Sequence, residues 1–234
     1  MRTKSSGSPI TFIKHVRVEN LAVVYPRNIR VLDSINLEFK PGIYVLIGPN
    51  GAGKTTLLDV LAGIRVPSQG RVLLNETISL YSLDERVRAG IRREAIAYML
   101  QEDIFIDYLN VLDNILLFRK FINISDETVN RLMEKLNIYN LKNKLPSELS
   151  GGEKKKVNFI RTYIKALSSS LILFDEPTSN LDWESTNIVR ELIKELNNGK
   201  RIIIIATHDT KLLELSEAII ELRAGKLVKR TVNE

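Results

Sequence analysis

Two kinds of hydrophobic spacing divide this chain, and unbroken apolar runs add a third pattern. From Phe12 to Phe39 apolar residues alternate with polar ones or come in short pairs, as at Val16 and Val18, Val31-Leu32, and Ile35, Leu37 and Phe39. Alternation of this kind predicts half-buried antiparallel strands. Pro41-Gly42 punctuates the end of that region, and Arg71-Val72-Leu73-Leu74 reads as a second hairpin-like region. From Glu85 to about Arg161 the apolar residues recur at three and four, as in Val111, Leu112, Ile115 and Leu116, then Val129, Leu132, Met133 and Leu136. That spacing predicts a helical subdomain over about 85–161, inserted between strands of a main sheet. Its final helix opens near Ser150 and carries Val157, Ile160, Ile164 and Leu167 on one face.

The unbroken runs are Leu171-Ile172-Leu173-Phe174 and Ile202 to Ala206. Continuous hydrophobicity says that both faces are covered, as at the centre of a parallel sheet. Ile188, Val189, Leu192, Ile193 and Leu196 between them make an amphipathic helix, stopped at Asn198-Gly199, so the stretch is a complete crossover unit. Lys211 to Ser216 reads as a short helix, and Ala218 to Leu222 with Leu227 to Lys229 as a closing strand pair. Residues 1 to about 10 are polar and Ser-rich and read as a flexible tail; 11–234 read as a single domain.

Composition narrows the chemistry. At 234 residues the chain is long enough to bury about 70 to 75% of its unfolded surface. It has no cysteine and only two histidines, His15 and His208, which excludes a disulfide framework and a Cys/His zinc site and fits a reducing cytoplasm. The N-terminus has no apolar core of a signal peptide, and no run is long enough for a spanning helix. The net charge of +6 is scattered, with no aromatic-rich basic stripe, so a solvated surface is expected rather than nucleic-acid binding.

One stretch organises the rest. The short apolar strand Ile43 to Ile47 leads into Gly48-Pro49-Asn50-Gly51-Ala52-Gly53-Lys54-Thr55, and Leu57, Leu58 and Leu61 follow at helical spacing. This is the strand, glycine loop and helix that a phosphate-cradling G-x-x-x-x-G-K-[ST] loop requires. Its glycines let backbone N–H groups point inward, the helix start adds positive potential, Lys54 reaches terminal phosphates and Thr55 offers a hydroxyl to Mg2+. Asp175 and Glu176 end the first unbroken strand, where ligands of parallel sheets bind, and adjacent strand residues should point to opposite sides: Asp175 to the metal, Glu176 to the attacking water. His208 follows the second unbroken strand at the same edge and is a candidate contact for a terminal phosphate. Leu149-Ser150-Gly151-Gly152-Glu153 is a second glycine loop opening a helix, with Ser150 as N-cap and hydroxyl donor.

Together these motifs resemble the ATP-binding-cassette (ABC) ATPase family over nearly the whole chain. The Walker A loop (Gly48 to Thr55), the signature (Leu149 to Glu153), the Walker B run (Leu171 to Glu176), the D-loop Ser179-Asn180-Leu181-Asp182 and the switch His208 stand in the family's order. The resemblance implies an α/β fold: a P-loop NTPase core with a mostly parallel sheet, an antiparallel β subdomain and an inserted helical subdomain. It implies ATP and Mg2+ as cofactors. Gly48, Pro49, Asn50, Gly51, Ala52, Gly53, Lys54, Thr55 and Thr56 would hold the phosphates, with Tyr25 stacked on adenine and Ser150, Gly151, Gly152 and Asp182 reaching a partner's nucleotide. Thr55, Asp175 and Gln101 would serve the metal, and Glu176, His208, Lys54 and Gln101 catalysis. Gln101 would also pass movement to the helical subdomain.

The family pairs two cassettes head to tail, so the expected partners are a second ATPase domain, identical or not, and an integral membrane permease that holds the chain at the inner face of the membrane. Pro146-Ser147-Glu148, Glu153, Asn180-Leu181-Asp182 and Leu222-Arg223-Ala224-Gly225-Lys226 look like the lipoprotein-release, macrolide-export and cell-division subgroup. The alternative is a soluble, non-transport ABC ATPase such as an iron-sulfur cluster assembly factor. Glu153 in place of the commonest Gln, Lys154-Lys155-Lys156 after it, and Trp183 after the D-loop depart from the usual pattern; Lys155 and Lys156 leave open whether nucleotide or partner contacts are altered.

Overall fold

The computed structural model describes residues 10–232. The elements run β1 (Val16–Tyr25), β2 (Ile29–Phe39), β3 (Gly42–Ile47), α1 (Lys54–Leu61), β4 (Gln69–Leu74), β5 (Ile78–Ser79), α2 (Glu85–Ala95) and β6 (Ile96–Met99). Then come α3 (Val111–Ile115), α4 (Asp126–Lys135), α5 (Gly151–Ala166), β7 (Leu171–Asp175), α6 (Trp183–Leu196), β8 (Ile202–Ala206), α7 (Thr210–Leu213), β9 (Ala218–Arg223) and β10 (Lys226–Val232).

The alternating N-terminal third forms a four-stranded antiparallel sheet in the order β2-β1-β4-β5. The other sheet has the order β10-β9-β3-β8-β7-β6 and is parallel from β9 to β6; only the edge strand β10 runs antiparallel. The unbroken apolar runs lie at its centre, and their residues divide by parity. Tyr44, Leu46, Leu171, Leu173, Ile202 and Ile204 join one core, shared with the antiparallel sheet and α1. Ile43, Val45, Ile172, Phe174, Ile203 and Ile205 join a second core under α3, α4, α5 and α6. A strand alternates its side chains, so a run apolar at every position is what two covered faces demand. Truncating one of these fully buried residues, for example Leu173→Ala, costs roughly 2–5 kcal/mol.

Three expectations are corrected. The stretch 85–161 is not helical throughout, because Ile96–Met99 returns to the main sheet and pairs with β7; a four-residue strand is too short to interrupt a helical period visibly. Leu167 is partly exposed beyond the end of α5 rather than on its buried face. Ile10, assigned to the tail, packs partly buried against the first core; residues 1–9 lie outside the described residues. Parallelism then does the work of assembly: β3, β6, β7 and β8 all end at one edge, with Leu46 and Asp175 each paired to Ala206 and Met99 paired to Phe174.

Candidate functional site

At that edge lies a cavity of about 550 Å³ lined by Tyr25, Val31, Asn50 to Thr56, Gln101, Asp175 and Glu176. Each strand end supplies one group. The chain leaves β3 at Gly48, whose φ of +144° and contact with the Leu222 carbonyl leave no room for a Cβ. Gly53, with φ of +101°, passes so close to Val31 and Leu32 that a Cβ would sit 2.6 Å from a Leu32 methyl, which fixes glycine where α1 begins.

Lys54 is buried at the start of α1 and turns back over its own loop, donating from Nζ to the Gly48 carbonyl at 2.7 Å and the Pro49 carbonyl at 3.3 Å. It also donates to His208 Nε2 at 3.2 Å. Burial holds the Lys54 ammonium below its ordinary range, while Glu176 and Asp175 pull it back up. These carbonyls are weak substitutes for an anion, so the side chain is held ready by interactions that a phosphate readily displaces.

Asp175 ends β7 almost fully buried, and burial raises its carboxyl above the usual carboxylate range, partly offset by a hydrogen bond from the Thr55 hydroxyl and reinforced by the neighbouring Glu176 charge. Its Oδ2 has no hydrogen-bonding partner among the described residues. A buried carboxylate oxygen without a partner, beside a threonine hydroxyl and an anion loop, fits Mg2+, a hard cation that takes one or two protein oxygens and completes its shell with phosphate and water. No group of three His, Cys, Asp or Glu among the described residues forms a metal cage of its own.

Glu176 corrects the expectation that it points away from Asp175. It lies past the strand with φ of +50°, its N–H bonded to the Ala206 carbonyl at 2.8 Å, and it lines the same cavity. A non-glycine residue in that conformation costs on the order of 1–3 kcal/mol, and here it turns the second carboxylate back toward the first. Glu176 Oε1 lies 3.6 Å from His208 Nε2, so Lys54, Glu176 and the half-exposed His208 form one cluster.

Tyr25 shares a 3.0 Å hydrogen bond with Thr56, and the Arg65 guanidinium stands 4.4 Å over its ring. Val31 was missed in the sequence; it forms an apolar wall, and its only signal was its place in an alternating strand. Arg65 had no sequence signal at all.

Ser150, Gly151, Gly152 and Asp182 are elsewhere. Ser150 caps α5, accepting from the Glu153 N–H while Glu153 Oε2 accepts from the Ser150 N–H and hydroxyl. Glu153 thus completes a capping box, and those two bonds from Ser150 hold its carboxyl below the usual range. A Cβ on Gly151 would meet nothing within 4 Å, whereas one on Gly152 would press on the Asn180 carbonyl of the D-loop at 2.9 Å. Asp182 caps α6 through Ser185 and faces Lys156 at 3.6 Å. These residues form an open surface, not a pocket.

The sequence model of the ABC transporter family matches residues 32–179. The chain is 34% identical to the lipoprotein-releasing system ATP-binding protein LolD of Buchnera aphidicola, over 85% of this chain and 88% of that protein. It is 32% identical to the uncharacterized ABC transporter ATP-binding protein Rv0073 of Mycobacterium tuberculosis, over 88% of this chain, and spans 64% of that relative's length. Among solved structures, the ATP-binding cassette MJ0796, a dimer in a post-hydrolysis state bound to ADP and Pi, superimposes with a TM-score of 0.83 at 27% identity, covering 93% of this chain and 98% of that one. The fold is that of an ABC ATPase cassette, and the chain belongs to the ABC transporter family.

Proposed function

We propose that this chain is the ATP-binding and ATP-hydrolysing subunit of a membrane transporter and works as a dimer around two ATP. The observation that carries the reading is the convergence of Lys54, Asp175, Glu176 and His208 on an anion-binding loop at one sheet edge. The loop N–H groups and Lys54 Nζ bind the β- and γ-phosphates, with Tyr25 beside the base. Thr55, Asp175 and Gln101 would hold Mg2+, which neutralises phosphate charge when bound. Glu176 Oε1 accepts a proton from the attacking water as its oxygen bonds to the γ-phosphorus and the bridge to the β-phosphate breaks. His208 Nε2 faces Lys54 and Glu176 in this cluster, so it is freed to meet the γ-phosphate as Lys54 swings onto the phosphates.

The open Ser150-Gly151-Gly152 surface supports a composite site. It presents an N-cap hydroxyl and an uncovered helix start outside the chain's own cavity, and the related MJ0796 cassette is a dimer. An apolar groove of about 460 Å³ lined by Leu100, Ile104, Phe105, Leu117 and Phe118 supports a membrane subunit as the second partner. Gln101 lines the phosphate cavity, while its neighbours Leu100 and Glu102 line the groove, so a permease segment seated there touches the residues flanking Gln101. No helix among the described residues is long and apolar enough to cross a membrane, and a membrane partner would supply a spanning part. The relatives are ATP-binding proteins of transport and lipoprotein-releasing systems, and no feature of the site favours an iron-sulfur role. Mg2+-dependent ATP hydrolysis by the purified chain, with recovery of a polytopic membrane protein in mild detergent, is the expected result; absence of hydrolysis, or a complex without a membrane protein, contradicts it.

A further inference from the structure

We propose that Lys155 is a positioning residue that fastens Gln101 to the helix bearing the Ser150 glycine turn, so that the two halves of the ATP site move together. The proposal rests on the reading of Gln101 given above. Lys155 lies on α5, four residues after Gly151 and therefore about 6 Å along the axis from the turn. Its side chain is 2% exposed, an expensive place for an ammonium unless it is fully paired. The pairing is specific: Nζ donates to the Gln101 carbonyl at 3.0 Å and faces Asp103 Oδ1 at 3.2 Å.

The same face of α5 continues the grip at intervals of three residues. Asn158 Nδ2 donates to Asp103 Oδ1 at 2.8 Å, Arg161 donates to Asn158 Oδ1 at 2.9 Å, and the Arg161 guanidinium stands 5.3 Å over the Phe105 ring. Strand β6 ends at Met99, so beyond it the path of residues 101–105 is set by side chains of α5. A bond to the Gln101 carbonyl fixes the backbone and leaves the side chain free to enter the phosphate cavity. Because a helix moves as a rigid body, any displacement of the Ser150 turn on meeting a partner's nucleotide reaches the Gln101 backbone through Lys155.

The test is steady-state ATP hydrolysis by the chain carrying Lys155→Met, Lys155→Gln, Gln101→Ala, or the methionine and alanine changes together. Lys155→Met keeps length and burial but loses the donor; it should lower kcat roughly tenfold or more and leave KM for MgATP within about twofold. Lys155→Gln, which can still donate to the carbonyl, should recover most of the loss. The double variant should be no slower than Gln101→Ala alone. Wild-type kcat in Lys155→Met beside an impaired Gln101→Ala overturns the proposal and leaves the Gln101 reading intact; wild-type kcat in Gln101→Ala overturns that reading and the proposal with it. If Lys155→Met melts below the assay temperature, Asp103→Ala takes its place: a kcat loss at unchanged KM supports the link, and unchanged kcat overturns it.

Discussion

The two glycine loops of this chain each open a helix and differ in what surrounds them. Gly48 to Thr55 sits between a central strand and a helix, beside buried Asp175, and encloses a cavity in which burial shifts Lys54 and Asp175. Ser150 to Gly152 caps a helix with its own hydroxyl, faces open space at Gly151 and lines no cavity with the first loop. The contrast teaches that an anion-binding backbone is not yet a binding site: the first loop has walls and counter-charges from its own chain, and on the proposed reading the second takes them from a partner.

The largest effects separate the loops by what each variant spares. Lys54→Ala should cost on the order of a thousandfold in hydrolysis and should also weaken ATP binding to a single chain, because its ammonium is the cationic side chain among the residues that line the cavity. Gly151→Asp should cost a comparable amount of hydrolysis yet leave single-chain affinity and melting temperature unchanged, since the added Cβ meets nothing within 4 Å and an acid suits a helix start. A Gly151→Asp chain that binds ATP as poorly as Lys54→Ala would erase the distinction. Next in size, Glu176→Gln should lower turnover by roughly a hundredfold or more with ATP still bound, measured in a single-turnover assay; near-normal turnover removes Glu176 from the base role.

Tyr25→Ala should weaken ATP roughly three- to tenfold in equilibrium titration, with Tyr25→Phe close to wild type; equal losses in both would assign the effect to the Thr56 hydrogen bond instead. The smallest effect is on stability. Because burial raises the Asp175 carboxyl, the folded state favours its protonated form, and that contribution is lost as pH rises above the ordinary 3.8. Asp175→Asn, neutral throughout, should therefore be more stable than wild type at neutral pH by roughly 1 kcal/mol without nucleotide, a gap that closes in acid. A variant less stable than wild type at neutral pH would mean that the carboxylate is held by partners this geometry does not include.

Local patterns that repeat were legible in the sequence. Five consecutive apolar residues at Ile202 to Ala206 demand two covered faces, and the glycine spacing before Lys54 demands a phosphate loop. Features decided by a neighbour far along the chain were not. The strand Ile96–Met99 is four residues whose identity as a strand comes from pairing with β7, some 75 positions later. The turn at Glu176 depends on the Ala206 carbonyl, so side-chain alternation failed one residue past the strand's end. Lys155 and Lys156 looked like a basic run. The fold buries Lys155 against residues 101–103 and sets Lys156 opposite Asp182.

The central claim is that the second loop completes another chain's site. It is tested most directly by the mass of the Glu176→Gln chain in solution with and without ATP, alone and with Gly151→Asp added. The account predicts an ATP-dependent dimer for Glu176→Gln, reverting to a nucleotide-bound monomer when Gly151→Asp is present. A Glu176→Gln chain that binds ATP and stays monomeric, or a double variant that dimerises equally well, would contradict it.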